Sequence, residues 1–401
     1  MKKCVIYFLS TLWLQPLFGQ QVYSDFTETI RHLYHATDEG ERNQLWVDIT
    51  SSANIPLIAE DSVAFLYRGD ARSVTWMGDF NGWGNSKTFK NKGIRIPQTD
   101  IWVLKASIPP DARLDYKILL NDNHYILDPL NPSSQWSGVG GGSLNSELRM
   151  TRWREDSLTN HALPHATHGK VLKDIVFKSH ELGYQVTYNV YTPHGYDEEL
   201  TYPVLYVTDG YEYMHDRMGN MITVLDNLIH LGTIQPVVAV FIDHRDPINR
   251  SANRRMLELS MNDRYLNFVT QELMAEIDNL FSVAREPSKR AIIGTSQGGL
   301  SAAWFAVARP DLFGMAGIQS PAFWFKPDIY TLYDQAETLP LKVFMSTGLI
   351  HDAEEGARKM KTILDKRNCA NEFKTVNQGH SWGNWRDQLD DMLLYLFPAG
   401  T

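Results

Sequence analysis

A chain of 401 residues is longer than one hydrophobic core usually serves, so two domains are expected. With 43% hydrophobic and 21% charged residues it has an ordinary globular composition and enough apolar material for a full core. A formal charge of −9 without a basic block makes nucleic acid and anionic membrane surfaces poor candidates as partners.

Residues 1 to 20 read as a signal peptide: Lys2 and Lys3, an apolar run from Cys4 to Leu17 broken only by Ser10, Thr11 and Gln15, then Gly19 before a polar chain. That run is too short to span a bilayer comfortably, and no other stretch comes near its length, so a soluble periplasmic or secreted protein with no membrane span is expected. Loss of Cys4 with the signal would leave Cys369 as a single thiol and no internal disulfide. Residues 21 to 59 form a lead-in that looks helical up to Ser51, with Ile30, Leu33, Tyr34, Leu45 and Trp46 at irregular helical spacing. No function is visible there.

From residue 60 to about 150 the pattern becomes short alternating runs, Val63 to Tyr67, Ser73 to Met77, Trp102 to Ala106 and Tyr116 to Leu120, separated by turn clusters; this predicts a small antiparallel β-sandwich. The stretches Gly78-Asp79-Phe80-Asn81-Gly82-Trp83, Tyr116-Lys117-Ile118 and Asp128-Pro129-Leu130-Asn131-Pro132 resemble the early-set, glycogen-binding type of sandwich that precedes many carbohydrate-active enzymes. The resemblance implies a possible glycan contact, although many such modules only pack against their catalytic domain. Trp76, Trp83 and Trp102 would then either face sugar rings or fill a core. Ser137 to Ser146 is the richest glycine stretch; it lacks the strand and the Lys-Ser or Lys-Thr pair of a phosphate loop, and reads as a domain-edge loop able to overhang a site.

Residues 171 to 398 alternate apolar strands with helices, which predicts an α/β domain with a mostly parallel central sheet covered on both faces. In such sheets chemistry gathers beyond the carboxyl ends of the strands. Within this domain Ala291-Ile292-Ile293 enters Gly294-Thr295-Ser296-Gln297-Gly298, and a helix-forming stretch follows at once. Strand, sharp turn and helix lift a serine hydroxyl clear of its backbone, where a histidine can reach its proton, so Ser296 is the expected nucleophile. His380, in the loop Gln378 to Trp385 after the last strand, is the expected base. The strand Lys342 to Ser346 leads to Asp352, the expected acid that orients the imidazole, with Glu354 and Glu355 as alternatives unless they only favour a helix N-terminus. Oxyanion donors are expected from the amides of Gln297 and of Tyr211, or Gly210 in its place.

Five ordered stretches now resemble one family: Tyr191-Thr192-Pro193-His194-Gly195-Tyr196; Tyr202 to Tyr206 with Asp209-Gly210; Arg255-Met256-Leu257-Glu258-Leu259; Gly294 to Gly299; and Gly379-His380-Ser381-Trp382 with Trp385-Arg386. They are similar to the esterase D superfamily, which takes in the feruloyl and acetyl xylan esterases of carbohydrate esterase family one and the enterochelin esterases. The resemblance implies a lidless α/β-hydrolase using Ser296, Asp352 and His380, with no metal and no cofactor. One departure is that Asp352 stands four residues after Gly348, where family members often have three.

Trp324, Trp382 and Trp385, with Tyr211, Tyr213, Phe323 and Phe325, fall in or beside the strand-end loops and suit an aryl acyl group, unless they merely wall the core. Arg245, Arg250, Arg254 and Arg255 share one loop and would suit an anionic ligand, unless Arg255 and Glu258, at helical spacing, only pair with each other. The favoured expectation is an exported serine carboxylesterase acting on feruloyl or acetyl esters of plant polysaccharide. Hydrolysis of a siderophore trilactone is the alternative, with acyl transfer to a sugar behind it. A reading of another class is a glycan-binding protein on an inactive hydrolase fold.

Overall fold

The computed structural model describes residues 26–52, 54–137 and 142–400, so the expected signal peptide lies outside the described residues, as do four positions of the glycine-rich stretch. Among the described residues no helix is long and apolar enough to cross a membrane.

The lead-in forms two helices, Phe26–His35 and Glu39–Ser52. Phe26, Ile30, Leu33 and Ile49 pack against Leu57, Ala64, Leu66, Ile101 and Val103, which covers the outer face of the first sheet that follows. That sheet pairs Ser62–Arg68 with Ile101–Ser107 and carries two short edge strands, Leu57–Ala59 and Ile94–Arg95. The second sheet runs Val74–Gly78, Arg113–Leu120, Ser143–Arg149, Ser134–Ser137, all antiparallel. Between the sheets lie Val63, Phe65, Val74, Trp76, Trp102, Leu104, Tyr116, Ile118 and Leu148. The strand Ser62–Arg68 is thus buried on both faces, Val63 and Phe65 inward and Ala64 and Leu66 under the helices, and therefore reads as a continuous apolar run.

The rest of the chain builds one eight-stranded sheet. Its strands are β1 (Lys170–Lys178), β2 (Gln185–Thr192), β3 (Val204–Val207), β4 (Val238–Asp243), β5 (Arg290–Thr295), β6 (Met315–Gln319), β7 (Lys342–Gly348) and β8 (Ala370–Val376). Their order is β1-β2-β4-β3-β5-β6-β7-β8, with β1, β2 and β4 antiparallel neighbours and β4 through β8 parallel. The helices Gln297–Ala308 and Glu354–Lys366 cover one face. Met221–His230 and Leu389–Leu396 cover the other. Burial on both faces explains why β3 to β7 read as unbroken apolar strands, whereas the edge strand β1 alternates. The parallel strands direct the loops after β3, β5, β7 and β8 to one edge of the sheet.

Candidate active site

The turn after β5 holds Ser296 at φ 56° and ψ −114°, a region that non-glycine residues rarely occupy. Its neighbours make the turn possible. A side chain at Gly294 would place its Cβ 2.3 Å from the Gly298 carbonyl oxygen, and one at Gly298 would meet Thr208 Oγ1 at 2.6 Å and Asp209 Oδ2 at 2.8 Å. The Ser296 amide donates to the Gln319 carbonyl (2.8 Å), and the Ser296 carbonyl accepts from the Ala322 amide (2.9 Å), so the strained residue is tied to the strand beside it.

The loop after β8 brings the His380 imidazole to this serine. Nε2 lies 2.9 Å from Ser296 Oγ, and Nδ1 lies 2.6 Å from Asp352 Oδ1. The ring rests edge-on against Trp385 with centroids 4.9 Å apart. Asp352 has no solvent exposure in its side chain. Its second oxygen, Oδ2, accepts from the Gly348 amide (2.6 Å) and from Ser320 Oγ (2.6 Å). Burial by itself would push this carboxyl up, but the His380 contact and charge together with the Ser320 and Gly348 donors outweigh it and hold Asp352 below the ordinary carboxylate range. Across the four-residue spacing from Gly348, Asp352 curls back so that Gly348 itself donates to it. Glu354 instead pairs with Arg358 one helical turn on (2.7 Å), and Glu355 is exposed.

Gln297 opens the helix Gln297–Ala308, and Tyr211 lies in the first turn of the short helix Gly210–Met214 after β3. Amides in a helical first turn lack intrahelical acceptors. The two turns are neighbours, since Asp209, the residue before the shorter helix, approaches Gly298 as described above. Gln297 and Tyr211 thus open two helical turns that lie beside each other.

Sequence reasoning missed the buried network beneath this loop. Arg255 grips Asp209 with two bonds (2.6 and 2.8 Å) and donates a third to the Thr295 carbonyl (3.1 Å), tying the loop after β3 to the residue preceding Ser296. Glu258 does not pair with Arg255, as helical spacing suggested; it accepts from Tyr184 and meets His244 Nδ1 at 2.5 Å, while the Asp209 amide donates to His244 Nε2. The expected anion site also dissolves. Arg245 and Arg250 both pair with Asp243, Arg254 pairs with Asp246, and the Arg245 guanidinium stacks 3.3 Å from the Tyr211 ring centroid.

Of the three tryptophans expected at the substrate, only Trp324 is open, at 77% exposure. Trp382 and Trp385 are corrections. Trp382 is buried edge-on against Tyr213 and donates to Glu212 (2.8 Å), and Trp385 is buried beneath His380 and donates to Ser320 (2.9 Å). They hold the site from below because each indole N–H finds its partner inside. Beside Gln297, whose side chain donates to Ser260 Oγ (2.9 Å), an open groove of about 680 Å³ runs between Met256, Leu257, Ser260 and Phe325, with Arg264 and Lys326 also lining it.

A mostly parallel eight-stranded sheet with a serine elbow after its fifth strand, an acid loop after its seventh and a histidine loop after its eighth defines an α/β-hydrolase. Comparison with known proteins narrows this class. The chain belongs to the Esterase family, which it matches over residues 179–396, and it is a carboxylic ester hydrolase. It is 25% identical over 338 residues to the iron(III) enterobactin esterase of Dickeya dadantii, covering 74% of this chain and 75% of that protein. It is 24% identical over 342 residues to an endo-1,4-beta-xylanase/feruloyl esterase of Xylanibacter ruminicola, covering 82% of this chain and 43% of that protein. Among solved structures, the ferric enterobactin esterase of Salmonella typhimurium superposes with a TM-score of 0.70 at 20% identity, over 84% of this chain and 93% of that one, which supports the shared fold.

Proposed function

We propose that this protein is an exported serine carboxylesterase that cleaves feruloyl-type or acetyl esters of plant polysaccharide through an acyl-enzyme on Ser296. The observation that carries the catalytic part is the unbroken run Asp352, His380, Ser296, with contacts of 2.6 and 2.9 Å, ending on a strained elbow. In this reading His380 Nε2 takes the Ser296 proton as Oγ attacks the ester carbonyl. The amides of Gln297 and Tyr211 receive the negative charge that develops on the carbonyl oxygen. Asp352, kept ionised and dry, balances the imidazolium and fixes its tautomer. His380 then protonates the departing alkoxide, and water repeats the cycle on the acyl-serine. A glycan-binding protein on an inactive fold has no use for this geometry.

Two observations support an apolar or aryl acyl group. The groove beside Gln297 sets Met256, Leu257 and Phe325 on its walls, alongside Arg264 and Lys326, with Trp324 exposed nearby, and the four arginines of the adjacent loop are already paired with carboxylates. The siderophore trilactone remains the second reading because the likeness to an iron(III) enterobactin esterase covers about three quarters of both chains. Export rests on the sequence of residues 1 to 20. Methyl ferulate and acetylated xylan assayed against a ferric catecholate trilactone, with Ser296→Ala as blank, separate the readings. Ser296-dependent release of ferulate or acetate is the expected result; turnover confined to the trilactone would overturn the substrate assignment.

A further inference from the structure

The β-sandwich touches the hydrolase domain at the loops that carry the catalytic groups. We propose that it is a positioning element of the active site, acting chiefly through Arg113 on the histidine loop; this rests on the triad reading above. Arg113, on the sandwich strand Arg113–Leu120, is buried, with 1% of its side chain exposed. Its Nε donates to Glu147 (2.7 Å) and its Nη1 meets Asp115 (2.8 Å). Nη1 also donates to the hydroxyl of Ser381 (3.1 Å), the residue next to His380. The backbones of Arg113 and Gln378 form a parallel bridge, and a Cβ on Gly383 would lie 2.0 Å from the guanidinium carbon. Arg113 therefore occupies the inside of the histidine loop, against Gln378, Ser381 and Gly383 at once.

The Gly78 to Gly84 turn completes the contact. Asp79 accepts from the Asp115 amide (2.8 Å) and from Trp83 Nε1 (3.0 Å), and it packs so closely on Gly379 that a Cβ there would sit 2.3 Å from its carboxyl carbon. On the acid side, a Cβ on Gly82 would fall 3.2 Å from the ring of His351, and Ile350 packs against the sandwich core. On the oxyanion side, Gln135 donates to the Arg217 carbonyl (2.7 Å), and Trp136 stacks on His215, whose ring meets Tyr211 edge-on. The same geometry explains the tryptophans of this module. Trp76 and Trp102 are buried in its core, and the Trp83 indole N–H is committed to Asp79.

The nucleophile needs no such help, because β5 and its helix hold it within the sheet. Base and acid stand on loops, and a relay with 2.6 and 2.9 Å contacts tolerates little displacement. A buried guanidinium with two carboxylates adds little net stability compared with apolar packing; Asp115 and Glu147, both on the sandwich, aim it, and its bond to Ser381 crosses to the histidine loop.

The test uses the full chain and a substrate too small to touch the sandwich, p-nitrophenyl acetate. Ser381→Ala keeps the backbone and removes the acceptor; Gly379→Ala pushes the loop off Asp79; Ser381→Thr restores the hydroxyl. Rates are expressed per folded molecule, and reaction of Ser296 with a fluorophosphonate, followed by mass spectrometry, reports the serine–histidine pair without assuming any ester substrate. Ser381→Ala is expected to lower both kcat and the labelling rate on the order of tenfold, with KM within about twofold. Gly379→Ala is expected to do more, and Ser381→Thr to recover most of the rate. Parental kcat and labelling in both alanine variants would overturn the proposal, as would losses that vanish once misfolded protein is subtracted. A parent that reacts with the fluorophosphonate but hydrolyses no ester would count against the esterase reading alone, and the labelling rates would still decide the role of the sandwich.

Discussion

Asp352 carries more of the catalytic geometry than a single contact to the histidine suggests. One oxygen faces His380 Nδ1, and the other accepts from Gly348 and Ser320, so the carboxylate is fixed before the imidazole arrives. Asp352→Asn puts an N–H where two donors already point, or turns it toward Nδ1 and reverses the tautomer. Loss of kcat on the order of 10³- to 10⁴-fold on p-nitrophenyl acetate is expected. Glu354→Gln, which removes only a surface pair with Arg358, should stay within about twofold. Steady-state kinetics on the two variants separates Asp352 from its neighbours. The serine and histidine were legible because each sits at a position the chain marks locally, a glycine-flanked turn after an apolar strand and a Gly-His in a loop before the last helices. Arg255 was not, because its partners, Asp209 and the Thr295 carbonyl, are 46 and 40 residues away and no periodicity links them.

At the scale of elements, the loop after β3 is the part of the site that depends most on buried charge. Asp209 adopts φ 55° and begins the helix that presents the Tyr211 amide, and Arg255 joins it to the end of β5. Arg255→Lys replaces a planar fork with a point charge and cannot make both bonds to Asp209 while reaching Thr295. Breaking the pair should destabilise the fold by about 3 kcal/mol and lower kcat by more than tenfold. Denaturant midpoints read with kinetics would check this; a variant with parental stability and rate would show that the network is dispensable. The strands of the sheet were readable as apolar runs because both faces are covered. The sites of Trp382 and Trp385 were not, since composition cannot tell an indole that faces a ligand from one whose N–H is satisfied by Glu212 or Ser320. The end of the chain forms two helices, Trp382–Arg386 and Leu389–Leu396, with the first turned in under His380.

For the whole molecule, the joint between the domains has its own pH signature. Asp79 is pushed up to about 7, first by burial and then by the neighbouring Asp115 charge. A carboxyl whose folded value exceeds its unfolded value of about 4 stabilises the fold fully below pH about 4, and that stability is lost as pH rises toward 7. Burial raises Glu212 and Asp390 in the same direction, while Glu147, held at about 2 by Arg113 against the opposing effect of burial, loses its contribution only in acid. The unfolding free energy should therefore fall from pH 5 to pH 8, and Asp79→Asn should flatten part of that slope, as denaturation curves across this range would show. An unchanged slope would mean that Asp79 is ionised in the folded joint. The sandwich itself was legible from alternation and turns, whereas its partner was not: nothing local in Gly78 to Gly84 announces that Gly379, three hundred residues on, lies against it. The central claim concerns Ser296, and it is tested most directly by quenching the enzyme in acid during p-nitrophenyl acetate turnover and mapping the acetyl group by peptide mass spectrometry. The account predicts acetylation of Ser296 in the parent and none in His380→Ala; an acetyl group carried through turnover by a different residue, or undiminished turnover in Ser296→Ala, would contradict it.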